Sequence, residues 1–348
     1  MRILADRRRL VAEARATIAR GSKSFRTASR LFDRETRERA WLLYAWCRAC
    51  DDLADGQTLG HDARAGVDGA AAIALMRART AAVLAGEEVG DMPFDALGLV
   101  ARECSIPHAF IQDHLQGFAL DAEGWRPRTE HDLLTYCYHV AGAVGCMMAV
   151  LMGVDANDTD TLDRASDLGI AFQLANIARD VGADHAAGRC YLPVSWLDEH
   201  GLCEDGLMEP ASRAELAILA ARLDALAAVY EDSARVGARR LPFRSRWAVL
   251  SAAGIYGAIA REVARRGPAA WDERVRIGKP DKLRHMIAAW REAGRPAAAA
   301  VVARTGLWTR RVRADPVLPP SASADEHPPK RPTAPSISPD AAHGGSRS

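Results

Sequence analysis

The chain has 348 residues, with 46 Lys and Arg against 45 Asp and Glu and a formal net charge of +1. That balance lacks the basic excess that phosphate neutralisation demands, so nucleic acid is excluded as a partner class. Hydrophobic residues at 49% and charged residues at 26% are ordinary for a soluble globular chain, which excludes disorder over the main body.

The first residues, MRILADRRRLVAEAR, are basic and lack an apolar run long enough for a secretory signal. Seven cysteines (47, 50, 104, 137, 146, 190 and 203) are an odd number in a chain too large to need stapling. Together these features indicate a reducing, cytoplasmic compartment. No proline precedes Pro93, Ala, Leu and Arg dominate, and apolar residues recur every three or four positions, as in AELAILAARLDALAAVY (214–230). Helices are predicted near 6–28, 36–56, 69–86, 93–104, 107–121, 130–153, 159–185, 211–239, 245–267 and 280–313. The fold class is all-α, with a single-domain body over 1–315. The Pro-, Ser- and Ala-rich segment 316–348 holds 8 of the 17 prolines and no aromatic residue, and is predicted to be a disordered tail.

In chain order, the first chemistry lies in WLLYAWCRACDDLAD (41–55). On a helix Asp51 and Asp55 share a face, with Arg48 one turn before them. An isolated DxxxD is ordinarily a solvated face. Here the carboxylates continue an apolar helix, where unpaired charge is costly, and a divalent metal is the economical counter-ion. Cys47 and Cys50 form a CxxC without a second pair at zinc-site spacing, so core packing is their reading.

Leu133 to Val154 is long enough to span a bilayer at ~20 residues. Tyr136, Tyr138, His139 and several small residues suit instead the central helix of a soluble bundle. Gly142 and Gly145 are expected to leave free volume along one wall of a pocket for something long and apolar. Next, GIAFQLANIARDVGAD (169–184) sets Gln173, Asn176, Asp180 and Asp184 along one stripe at spacings of three, four and four. All four present oxygen, the ligand type Mg²⁺ prefers, and the adjacent Arg179 suits an anion. Two such stripes across an apolar cleft would clamp a diphosphate through Mg²⁺ ions.

Other features read as structure. His114, His131 and His139 show no metal-ligand spacing, and Trp41, Trp46, Trp247 and Trp290 suit core or helix-packing positions. The basic run ARRLPFRSRW (238–247) reads as a solvated face, with approach to an anionic bilayer as the second reading.

Five motifs in order, GSKSF (21–25), YAWCRACDDLAD (44–55), YCYHVAGAVG (136–145), AFQLANIARDVGAD (171–184) and GRCYLP (188–193), resemble the squalene/phytoene synthase family, most of all its bacterial phytoene synthase branch. The likeness covers roughly residues 15–315 and implies an isoprenoid-synthase-type helical bundle around a central apolar cavity. By that resemblance Asp51, Asp55, Asn176, Asp180 and Asp184 are the metal ligands, for Mg²⁺ with Mn²⁺ as the alternative. Ser22, Lys23, Ser24, Arg48 and Arg179 match diphosphate-binding positions, and Tyr136 and Gln173 lie near the reacting prenyl ends. Tyr256, Arg274, Lys279 and Lys282 match a further group near the diphosphates. The two acidic pairs, Tyr136 and Arg48 form the expected catalytic set, and Val140, Ala141, Val144, Gly145, Met148 and Phe172 the expected pocket wall. Family members often carry a third acid where this chain has Ala183, which should face away from the Asp180/Asp184 stripe.

The reaction the resemblance implies is head-to-head condensation of two geranylgeranyl diphosphates through prephytoene diphosphate to phytoene, the first committed step of carotenoid biosynthesis. A squalene- or dehydrosqualene-type synthase using farnesyl diphosphate is the alternative. A head-to-tail elongase would carry two DDxxD motifs, which are lacking, and a non-catalytic helical assembly factor would not need intact acids. Geranylgeranyl diphosphate is thus the expected partner, and the protein is expected in the cytoplasm. Its lipophilic substrate and product point to loose peripheral contact with the inner membrane, and the pathway to association with other carotenoid enzymes.

Overall fold

The computed structural model describes residues 2–21, 28–55, 68–295 and 303–311, with side chains from Asp6 onward and without that of Asp55. In chain order these form α1 (Arg2–Gly21), a 3-10 turn (Ser29–Leu31), α2 (Arg34–Asp55), α3 (Gly69–Leu84), α4 (Met92–Cys104) and α5 (His108–Ala122). Then come α6 (Glu130–Cys137), a π turn (Tyr138–Gly142), α7 (Ala143–Leu151), α8 (Thr159–Ala186), α9 (Val194–Glu199), α10 (Arg213–Ala238), α11 (Phe243–Arg266) and α12 (Lys279–Ala293). No strand occurs among the described residues.

Local chemistry starts these helices where they start. Asp68 accepts from the Ala70 and Ala71 amides at 3.0 and 3.3 Å, and Asp158 from Thr161 at 3.0 Å. Thr129 and Asp132 satisfy each other's backbone amides in a capping box at the head of α6. Pro93 sits in the first turn of α4, where its missing N–H is no loss.

α8 is the axis. Its 28 residues make a rod of about 42 Å. The π turn and α7, and then α10 and α11, pack around it. One apolar cluster joins α2, α3, α4, α5 and α7 through fully buried side chains such as Trp46, Met76 and Phe94. A second joins α6, α8 and α10 through Leu174, Leu223 and Tyr230. The stretch Glu130–Leu151 is long and apolar enough to cross a bilayer, with mean hydropathy 1.5, but 61% of its most apolar 18 residues are buried within this bundle.

Four expectations need correction. The helix predicted over 280–313 ends at Ala293, because Gly294 weakens the helix and Pro296 cannot donate to it. The short helix α9 is absent from the predicted set; Pro193 opens it and it is too brief for periodicity to register. Gly142 and Gly145 do not create free volume. A Cβ on Gly145 would lie 2.3 Å from the Ala165 carbonyl oxygen, one on Gly142 2.8 Å from Ser166 Oγ, and one on Gly169 2.3 Å from the Ala141 carbonyl oxygen. These glycines let the α7 rod and α8 touch backbone to backbone. Trp290, expected in a packing position, is 53% exposed.

Residues 303–311 turn back onto α8 as a clasp. Arg304 makes a two-pronged ion pair with the fully buried Asp167 at 2.6 and 2.7 Å, and Arg310 pairs with Asp163 at 2.9 Å. Between them the Trp308 amide donates to the Tyr230 hydroxyl and its indole N–H to Thr135 Oγ1. The predicted tail, 316–348, lies outside the described residues.

Candidate active site

One face of α8 lines a single large cavity of about 1200 Å³ from Thr161 to Asp184, a run of about 35 Å along the helix. Along this face come Leu168, Phe172, Gln173, Asn176, Asp180 and Asp184. Apart from the adjacent Phe172 and Gln173, their spacing of three or four residues is the helical repeat, so the stripe that carries the acids also carries the apolar wall. The π turn and α7 supply the adjoining wall through Val140, Ala141, Val144, Gly145 and Met148. A π turn adds a residue to one helical turn, which swings Val140 and Ala141 inward.

The cavity is polar at one end. Asp51 from α2, Asp121 from α5, and Asn176, Arg179, Asp180 and Asp184 from α8 border it there, with Lys279 and Lys282 from α12 and Arg189 from the loop after α8. The predicted residues Tyr136, Gln173 and Tyr256 also line the cavity, Tyr256 stacked on Phe172 with ring centroids 4.1 Å apart. Burial pushes the Tyr256 hydroxyl up. Ala183 is exposed, away from the acidic stripe.

Other predicted residues fall elsewhere. Ser22, Lys23 and Ser24 lie outside the described residues, as does the side chain of Asp55, the last residue of α2. Arg48 is not on the cavity wall: its guanidinium reaches one turn along α2 to Asp52, with Nε 3.0 Å from Oδ1. Arg274 is 57% exposed and grips Asp180 with two hydrogen bonds of 2.9 Å.

The two acids of α8 have opposite electrostatics. Burial alone would raise the Asp180 carboxyl, but hydrogen bonds from Arg179 and Arg274 outweigh it and hold it below the usual carboxylate range. Asp184 accepts no side-chain hydrogen bond among the described residues. Burial, and then the charge of Asp180 and Asp121, push it up to about 6 against the pull of Arg189 and Arg179. A half-buried carboxylate with no donor beside two other carboxylates is short of positive charge.

Sequence reasoning missed Asp121. Its carboxylate accepts from the Tyr136 hydroxyl at 3.0 and 3.1 Å and from the Tyr191 hydroxyl at 3.0 Å. Tyr136 is stacked between Trp125 and Tyr191, at centroid distances of 5.6 and 4.9 Å. Burial first, and then the Asp121 charge, push the Tyr136 hydroxyl well up, so it stays protonated. In FALDAEGW (118–125) the other acid, Glu123, is two residues on and so off the helix face of Asp121, and no acid at helical spacing signals a role. Tyr191 and Arg189 fall within the GRCYLP motif, which by itself assigns them no part.

The oxygen donors Asp51, Asn176, Asp180 and Asp184 border one cavity and are of the type a hard divalent cation takes, while no three acids among the described residues already converge on one point, and Asp184 accepts no hydrogen bond from the arginines near it. Asp180 would exchange a guanidinium for the metal. A long, largely apolar chamber lined also by a group of acids and cations suits an apolar chain bearing an anionic head.

Comparison with known proteins agrees with that shape. The family model described as squalene/phytoene synthase matches residues 18–281. The 15-cis-phytoene synthase of Pantoea ananas is 46% identical over 282 residues, which cover 80% of this chain and 91% of that protein. The 15-cis-phytoene synthase of a Paracoccus species is 45% identical over 302 residues, 86% of this chain and 98% of that one. Among solved structures, a ligand-bound dehydrosqualene synthase superposes with a TM-score of 0.73 at 27% identity, covering 82% of this chain and 96% of that chain. With the family model spanning both acidic helices and the cavity between them, this chain belongs to the squalene/phytoene synthase family.

Proposed function

We propose that the protein is a phytoene synthase that condenses two molecules of geranylgeranyl diphosphate head to head, with Mg²⁺ at the acidic end of the cavity. The observation that carries this reading is the single face of α8, which joins the acids to about 35 Å of chamber wall. Relatives at 44–46% identity that carry the phytoene synthase name support it.

In this reading Asp51, Asn176, Asp180 and Asp184 hold the metal, with Asp55 as the further ligand implied by family likeness. When bound, Mg²⁺ neutralises the charge that develops on the departing diphosphate. Arg179, Lys279 and Lys282 border the same end and donate charge-assisted hydrogen bonds to diphosphate oxygens. Ionisation of the first substrate releases its diphosphate and yields an allylic cation that alkylates the double bond of the second, and loss of a proton closes the cyclopropane ring of prephytoene diphosphate. A second ionisation, rearrangement and proton loss complete the product.

Between these events the chain must keep water from the cations, and Val140, Val144, Met148, Leu168 and Phe172 do so. Tyr136 keeps its proton by donating to Asp121, which leaves its oxygen lone pairs as a neutral, electron-rich neighbour for cationic carbon. Cytoplasmic location and contact with other enzymes of the pathway belong to this proposal.

The test is direct. The purified protein is incubated with Mg²⁺ and geranylgeranyl or farnesyl diphosphate, with and without NADPH, and the hydrocarbons are identified. A C40 product made without reductant is expected. A reductant-dependent C30 product would transfer the chain to the squalene-type branch, and absence of turnover would leave a helical assembly factor. Asp51→Asn and Asp180→Asn should each lower turnover by on the order of 10²-fold while the helical circular dichroism is kept. Near-normal rates in both would sink the metal assignment.

A further inference from the structure

Eight large apolar side chains are exposed among the described residues, and three of them, Leu283, Ile287 and Trp290, sit on α12. Spacings of four and three put them on one stripe. Their exposures are 57%, 44% and 53%. The opposite face of α12 is fastened to α11: Ala289 and Ala293 are buried, and the Trp247 indole N–H donates to the Met286 carbonyl at 2.8 Å. The stripe is therefore a free face of a docked helix.

Cations flank it. At about 100° per residue, Arg284 and Arg291 project along one border of the stripe and Lys279 lies at its head. Arg284 pairs with Asp281 at 3.3 Å, whereas Lys279, Arg291 and Arg295 make no ion pair among the described residues. The basic run 238–247 offers one such cation, Arg239. Arg240 is spent on Asp160 and Thr161, Arg244 on the Leu31 and Phe32 carbonyls, and Arg246 on those of Ala293 and Leu241. α12 also borders the cavity: Lys279, Lys282, Leu283 and Met286 line it.

We infer that the Leu283/Ile287/Trp290 face of α12 is a docking surface for an anionic phospholipid bilayer and sets the cavity mouth against it. A helix with Trp on an apolar stripe and a border of cations beside it is built to lie in the headgroup plane. The cations complement anionic headgroups, although the whole chain carries only +1. Three half-exposed side chains offer on the order of 300 Å². That is well short of the ~800 Å² per partner of a stable dimer. Leu283 belongs to both the stripe and the cavity wall, so a polyprenyl chain could pass between bilayer and chamber without crossing water. This last step rests on the function proposed above.

The full chain is sedimented with phosphatidylcholine vesicles, with and without phosphatidylglycerol, and hydrocarbon formation is assayed separately in detergent. The parent should bind the phosphatidylglycerol vesicles and leave them at high salt. Ile287→Ser with Trp290→Ser should weaken binding by about tenfold or more. Arg291→Glu with Arg295→Glu should weaken it similarly, and only on the anionic vesicles. Both variants should keep their turnover in detergent. Three results would overturn the inference: a parent that stays in the supernatant, variants that bind as the parent does, or an Ile287/Trp290 change that converts a dimer to a monomer on size exclusion. So would stronger binding on removal of residues 312–348, which would make the chain's own tail the occupant. A parent that binds vesicles but makes no hydrocarbon would fail the proposed function alone.

Discussion

Asp121 joins two tyrosines that are far apart in sequence, and its effects should be visible in both stability and rate. Asp121→Ala leaves the buried hydroxyls of Tyr136 and Tyr191 without an acceptor, at a cost of about 1–3 kcal/mol each. Asp121→Asn keeps one oxygen and should lose less. Denaturant titration ranks the pair, and equal losses would show that the carboxylate does not hold the phenols. His114 is the second residue whose environment makes a measurable claim. Its Nδ1–H donates to the His139 carbonyl at 3.2 Å, its Nε2 has no partner, and burial pushes the imidazole down to about 4. Between pH 6.5 and 4 the unfolded chain therefore binds a proton that the native state refuses, and stability falls as pH falls through that window. The loss should approach about 3 kcal/mol at the acid end. His114→Phe, in a site already flanked by Trp46 and Phe118, should show a shallower decline between the same pH values. Parallel curves for variant and parent would exclude the imidazole as the source.

Among the elements, the α7 rod crosses α8 in backbone contact. Gly145→Ala and Gly169→Ala would each place a Cβ 2.3 Å from a backbone carbonyl oxygen, which no rotamer change relieves. Overpacking of this kind costs about 1–3 kcal/mol or more. Gly182→Ala, on the same helix, meets only the end of the Met208 side chain at 3.0 Å and should be tolerated. Thermal melts of the three variants test this, and an equal loss from Gly182→Ala would contradict the crossing argument. Helical phase is legible in the amino-acid order alone: periodicity predicts a helix over 159–185, α8 runs over Thr159–Ala186, and its oxygen stripe follows from spacing. The role of the glycines is not legible there, because composition shows a missing side chain but not what fills its place.

Across the whole molecule, the clasp of residues 303–311 ties the C-terminal side of the body to the middle of α8. A chain ended at residue 302 would strand Asp167 and Asp163 without Arg304 and Arg310. Stripping one partner from a buried ion pair costs about 3–5 kcal/mol. A chain ended at residue 311 keeps every described contact of the clasp. The shorter chain should therefore unfold at markedly lower denaturant, and coincident curves would show that the clasp contributes nothing. The helix predicted to continue through 313 conceals this segment, since Ala-rich composition favours a helix wherever tertiary contacts do not intervene.

The amino-acid sequence by itself determined the helical class, the two acidic helices and the family likeness, because helix phase and ligand spacing are local properties that 3.6 residues per turn translate into a face. Only the tertiary structure decided that Asp121 belongs to the site, that Arg48 turns to Asp52 while Arg274 holds Asp180, and that Trp290 faces outward. These outcomes depend on which residues meet across distant segments and on how burial and neighbouring charge compete there, and neither quantity exists until the helices have packed.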